Sequence, residues 1–212
     1  FVSKINTEAS AAVGIVFPIM TIIQALGFTL GMGGSSIISR RLGEKKNLEA
    51  SQTASVAFFL FLLIGLSITI LGNIFSSQFM EFVGASENVL PYANAYARYI
   101  FYGAPFMCAS FVLNNILRSE GKAFFSMISL SIGGILNIIL DPIFIFILKL
   151  GISGAAIATL VSQGISFFLL LSWFIRKKAI CVISFNGLAK KINFLGNVII
   201  TGLPSLSRQG LA

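Results

Sequence analysis

The sequence has no histidine, two cysteines, a single aspartate and few charges of any kind. Charged residues fill 10% of its 212 positions, where an average soluble domain carries roughly 25%. So few charges cannot clothe a surface that faces water. Without histidine, and with no Cys-x-x-Cys spacing, the chain lacks the usual ligands of a zinc site and the base of a Ser-His-Asp triad, so no resident metal and no enzyme are expected. Cys108 and Cys181 fall in or beside apolar segments, where cysteine acts as a small buried hydrophobe and not as a disulfide or metal ligand. Basic residues outnumber acidic ones by 15 to 7. A nucleic-acid partner would need those cations gathered on one solvated patch, whereas here they stand in short runs between apolar stretches, so none is expected.

Apolar sequence is what the chain has in plenty: 56% hydrophobic residues and a mean hydropathy of +0.93. About 20 apolar residues in a helix cross roughly 30 Å of hydrocarbon. Charge is absent from 9–39, 50–80, 99–117 and 150–175, and within 123–148 Asp141 is the one charge. A sixth apolar stretch begins near Ile192. In each, apolar residues cover every face, and hydrocarbon offers the backbone no partners, so the segments must be helical. The expected fold is an all-α polytopic membrane protein, a helical bundle of five spans and the start of a sixth, with no soluble domain. Phe1 is not Met and Ala212 falls inside an apolar run, so the chain is expected to be a fragment; the first apolar stretch is too long for a secretory signal.

The loops orient these spans. Arg40, Arg41, Lys45 and Lys46 follow the first, Arg118 and Lys122 the third, and Arg176, Lys177, Lys178, Lys190 and Lys191 the fifth. Lys4 and Lys149 stand on the other side, and the loop 76–91 has no basic residue. By the positive-inside rule the three basic groups are cytoplasmic and Phe1 lies outside.

Within the spans, Gly27, Gly31, Gly33 and Gly34 crowd the inner end of the first. Gly27 and Gly31 have the small-xxx-small spacing of closely packed membrane helices. No Lys-Ser or Lys-Thr follows and no strand precedes, so a phosphate-cradling loop does not fit. Pro18, Pro105, Pro142 and Pro204 interrupt apolar runs, where each removes a backbone bond. Trp173, Tyr92, Tyr96, Tyr99 and Tyr102 near the ends read as interfacial aromatics, and Arg98 as a headgroup contact. Phe17, Phe28, Phe58, Phe59 and Phe61 either line a path for lipophilic cations or face lipid.

Asp141 carries the most information. A charge inside an apolar helix costs about 2.5 to 3.5 kcal/mol on insertion scales and marks a proton or cation site by default. The alternatives are a carboxylate that snorkels to the surface or a helix that ends ahead of Pro142. Asn137 lies one turn earlier on the same face. Asp141 is seven residues from Leu148, about 10 Å below the outer surface. The short connection to Ser153 returns the next helix antiparallel, which brings Thr159 to about 8 Å depth. The three side chains can therefore share one level, although the Thr159 hydroxyl has its own helix backbone as an alternative partner. Asn114, beside Asn115 near the inner end of the third span, is a further candidate, for a substrate cavity, and is also of the type that ties helices together.

Five strings carry a family resemblance. Arg40-Arg41-Leu42-Gly43-Glu44-Lys45-Lys46 after a Gly-rich helix is similar to the first cytoplasmic loop of the multidrug and toxic compound extrusion (MATE) transporters. Leu117-Arg118-Ser119-Glu120-Gly121-Lys122, Asn137-Ile138-Ile139-Leu140-Asp141-Pro142 and Gly151-Ile152-Ser153-Gly154-Ala155-Ala156-Ile157-Ala158-Thr159 follow in family order, and Gly202-Leu203-Pro204-Ser205 resembles the start of the seventh helix. The resemblance implies a twelve-helix transporter of two six-helix lobes that rock between outward-open and inward-open states. On that reading 1–175 hold helices two to six of the N-terminal lobe, 176–191 the cytoplasmic linker between lobes, and 192–212 the start of helix seven. It further implies export of drugs and organic cations across the plasma membrane against an inward flow of H⁺ or Na⁺, with no other cofactor; the Ile, Phe, Asn and Lys bias of the composition points to a bacterium. The partners it implies are the lipid bilayer and lipophilic or cationic small molecules, the full-length protein being monomeric. The family's N-lobe cation site uses an aspartate on helix one, an Asn and an Asp on helix five and a Thr on helix six; Asn137, Asp141 and Thr159 match the last three. A helix-one aspartate would lie upstream of Phe1.

Two other readings remain open at this stage. A lipid-linked oligosaccharide flippase of the same superfamily would carry several cationic residues in its cavity, and only Arg98 and Arg208 lie within spans. A membrane enzyme or scaffold subunit would show clustered polar groups at one interface, and none is evident.

Overall fold

The structure, a computed structural model, describes residues 2–184. Six helices follow a short 3-10 turn, Val2–Lys4: α1 (Thr7–Gly43), α2 (Asn47–Ile74), α3 (Ser76–Phe82), α4 (Leu90–Ser119), α5 (Ala123–Pro142) and α6 (Gly151–Ile175). The described residues contain no strand. Five helices are long and apolar enough to cross a membrane, α5 being extended to Ile147 by a π-helical turn. The sixth apolar stretch, with Pro204, Arg208, Lys190 and Lys191, lies outside the described residues.

Local chemistry sets the helix ends. Asn6 caps α1, its Oδ1 accepting from the Ala9 amide at 2.6 Å, while Arg40 and Arg41 sit in the last turn where the helix dipole favours cations. At 37 residues α1 is about 55 Å long, so its basic end projects beyond a hydrocarbon layer of roughly 30 Å. The α1–α2 turn is laced by Arg41–Glu44 and Arg41–Glu49 at 3.2 Å and by Lys46–Glu44 at 2.9 Å. The hydrogen bond from Lys46 holds the Glu44 carboxyl below its ordinary range. Gly121, at φ +79°, supplies the left-handed residue that turns α4 back into α5.

The central rod is α4, flanked by α1, α2 and α6, with α5 packed mainly on α6. A stripe of Ala93, Tyr96, Ala97, Ile100 and Ala104 runs up it, all nearly free of exposure. Small residues bring its neighbours close. Gly27 faces Cys108 and Phe111, Gly31 faces Asn115, and Gly34 faces Ala57 of α2. Gly65 of α2 lies against the backbone of Pro105, where an added Cβ would stand 2.5 Å from the Pro105 Cα. Pro18 and Pro105 sit inside continuous helices. Cys108 and Cys181 are free thiols and both buried. The outward face of α5 presents Phe124, Ile135 and Ile138 without cover, as a lipid-facing surface does.

Two expectations change. The loop 76–91 contains the helical turns of α3, anchored by the buried Met80 and by the Ser76 hydroxyl donating to Asn94 at 2.7 Å. The phenylalanines divide: Phe58 and Phe61 are core, whereas Phe17 is exposed on the outside of α1.

Candidate functional site

Asp141 stands at the end of α5, one turn beyond Asn137. The next residue, Pro142, has no N–H to donate, and the helix passes there into the wider π-helical turn Ile143–Ile147, in which the Leu148 amide reaches the Ile143 carbonyl at 2.9 Å. Lys149 and Gly151, both at positive φ, reverse the chain into α6. Gly154 then allows α6 to touch the π turn: a Cβ there would lie 2.6 Å from the Phe144 carbonyl oxygen. This contact places Thr159 level with Asn137.

The Asn137 amide bridges the two helices. Its Nδ2 donates to Asp141 Oδ1 and to Thr159 Oγ1, each at 3.3 Å. The Thr159 hydroxyl in turn donates to the Ala155 carbonyl at 3.0 Å, so its backbone bond and its role in the cluster coexist. All three residues are half-buried. Among the described residues no basic side chain forms an ion pair with Asp141. The cluster is a carboxylate, a hydroxyl and an amide that turns its Nδ2 to both, side chains whose oxygens suit a proton or a hard cation, and the described residues hold no group of three or more His, Cys, Asp and Glu that could hold a metal ion.

Tyr96 joins this cluster from α4. It is 6% exposed, with its hydroxyl beside Thr159 and within the field of Asp141. Read from sequence it is an interfacial aromatic; its place in the Ala93–Ala97–Ile100 stripe, at helical spacing, is the signal that marks it as inward-facing.

Asn114 lies at the junction of α4 and α5. It is 5% exposed and tied to α5, its Nδ2 donating to the Ser126 carbonyl at 3.4 Å while the Ser126 hydroxyl returns a bond at 3.3 Å. An amide at the junction of two helices satisfies buried backbone there. Its neighbour Asn115 lines a cavity of about 390 Å³ at the inner end, with Phe28, Met32, Ser36 and Arg118. At the outer end Arg98 is exposed, bonded to Tyr102, beside a polar pocket of about 320 Å³ with Asn73 and Asn94.

The MatE family model matches residues 1–143. The chain belongs to the MatE family. Among its relatives, a multidrug export protein MepA of Staphylococcus haemolyticus is 34% identical over 85% of this chain and 40% of its own length. A FAD transporter of Shewanella oneidensis is 35% identical over 76% and 37%. This MatE chain therefore spans less than half the length of the relatives it matches. It also fits a multidrug resistance MATE family transporter of the MOP superfamily in two solved states, at 35% identity and 46% of that chain. The TM-score is 0.90 over 95% of this chain for the inward-facing conformation and 0.91 over 98% for the outward-facing one. The MatE assignment and the five helices long and apolar enough to cross a membrane mark the chain as part of a multi-pass membrane protein.

Proposed function

We propose that this chain is the larger part of the N-terminal lobe of a cation-coupled exporter of drugs and organic cations, with Asp141 as the coupling carboxylate. In this layout 1–175 are helices two to six, 176–191 the linker and 192–212 the start of helix seven of a monomeric twelve-helix protein. The observation that carries the reading is the meeting of Asp141, Asn137 and Thr159 at one level between α5 and α6, with no ion pair on the carboxylate among the described residues.

An ionised carboxylate held away from water costs free energy, and binding H⁺ or Na⁺ removes that cost. The amide of Asn137, rotated by half a turn, presents its oxygen to a bound cation. The ladder of α5 is already interrupted at Pro142 and its π turn, so a small change in charge next to it can shift the end of the helix at low cost. Drug release outside follows from that repacking. Replacing Asp141→Asn in the full-length protein is expected to reduce ethidium efflux from cells to the level of cells lacking the transporter, with the protein still in the membrane. Undiminished efflux rules the proposal out.

The relative that carries FAD favours a second substrate reading, an anionic dinucleotide. Export of ethidium but not FAD by the full-length protein supports the drug reading, and the reverse supports the dinucleotide.

A further inference from the structure

The segment after α6 is held in an unusual way. Lys177, at φ +52°, ends the helix, and residues 178–184 then run without regular structure beneath the inner ends of α2 and α4. Irregular backbone at a surface usually leaves its N–H and C=O groups to water. Here side chains take them. The Glu120 carboxylate accepts from two successive amides, Ile180 to Oε2 and Cys181 to Oε1, both at 2.8 Å. Ser51 accepts from Val182 at 3.1 Å, and Ser55 accepts from Ser184 at 3.0 Å while sharing its one proton between the Ser51 carbonyl of its own helix at 2.8 Å and the Val182 carbonyl at 3.2 Å.

Lys122 completes the arrangement. Its ammonium donates to the Lys178 carbonyl at 2.6 Å and to Glu120 at 2.9 Å. The Glu120 side chain has no exposure at all, and a buried carboxylate is costly unless its oxygens are fully partnered. Two amides and one ammonium supply those partners, and bonds to a charged acceptor are the strong kind. A passing surface contact would engage one or two of these groups; this one engages four amides and two carbonyls within seven residues.

We propose that Glu120 is a positioning residue for transport: it straps the chain leaving α6 to the inner ends of α2 and α4, so that the connection departs from a fixed point and moves with the lobe as one body. The transport role rests on the exporter reading above; the strap itself does not. Neither Glu120 nor the serines touch Asp141, Asn137 or Thr159, so the two sites fail separately.

Hydrogen exchange of the full-length protein in membranes tests it, read by mass spectrometry on the peptide that covers 178–184. The amides of Ile180, Cys181, Val182 and Ser184 are expected to exchange at least tenfold slower than in the free peptide. Glu120→Gln keeps the shape but offers one acceptor oxygen in place of two, and its NH₂ meets an amide donor head-on. It is expected to speed exchange at Ile180 and Cys181 tenfold or more, to leave α4 amides protected, and to lower ethidium efflux several-fold. Asp141→Asn is expected to leave the strap protected.

Free-peptide exchange in the unsubstituted protein, or unchanged protection in Glu120→Gln, overturns the strap. Faster exchange with undiminished efflux overturns its role in transport. Where Glu120→Gln also exposes α4, the double substitution Ser51→Ala with Ser55→Ala decides the matter, since it disturbs no buried charge: faster exchange at Val182 and Ser184 alone supports the strap, and unchanged exchange overturns it.

Discussion

Asp141 is legible in the sequence because its exception is chemical: one carboxylate inside an apolar stretch, with an amide four residues before it on the same helical face. Thr159 is legible through loop length, since a short reversal fixes depth on both sides. Tyr96 is not found that way, because its nearness to Thr159 depends on how α4 and α6 cross, which spacing along one helix does not contain. Tyr96→Phe keeps the buried ring and removes the hydroxyl beside Thr159. A hydrogen bond of this kind is worth about 0.5 to 1.5 kcal/mol, so on the coupling role proposed for Asp141 the variant is expected to weaken cation affinity by roughly two- to tenfold without loss of fold, read by the cation dependence of efflux. Cys181 gives a second residue-level test. Burial first, and the Glu120 charge second, push its thiol up to about 12. It should resist iodoacetamide at pH 8 while folded. Above the ordinary thiol value of 9.0 the unfolded chain gains a thiolate that the native one does not, so stability contributed by this group falls as pH rises from there.

At the level of elements, hydropathy places the five spans, and helix contacts then depend on where side chains are missing. Gly65 and Gly14 make the contrast. A methyl on Gly65 would meet the Pro105 backbone at 2.5 Å, while around Gly14 nothing lies within 4 Å. Gly65→Ala is expected to destabilise the bundle by about 1 to 3 kcal/mol through overpacking. Gly14→Ala, in an exposed helix interior, is expected to be neutral or to stabilise by about 0.5 to 1 kcal/mol. Thermal unfolding in detergent separates them, and equal melting temperatures would contradict the packing at α2–α4. The π turn after Pro142 was only half legible: proline announces a break in the ladder but not which wider turn resolves it. Short α3 was hidden because its seven residues carry too little periodicity to separate from a loop.

For the whole molecule, the described bundle fits the inward-facing and outward-facing relatives nearly equally well, with TM-scores of 0.90 and 0.91. A bundle built on backbone contacts such as Gly65–Pro105 and Gly154–Phe144 resists smooth deformation, which leaves the interrupted end of α5 as its softest described point. On the coupling role proposed for Asp141, a bound cation would act by shifting the balance between two poses, which requires it to bind one pose better than the other. Purified full-length protein in liposomes provides the direct test, with H⁺ and Na⁺ gradients imposed separately and substrate efflux recorded for the unsubstituted chain and for Asp141→Asn. The account predicts that at least one gradient drives efflux and that Asp141→Asn abolishes the response to it. Gradient-driven efflux of full size in Asp141→Asn would contradict it.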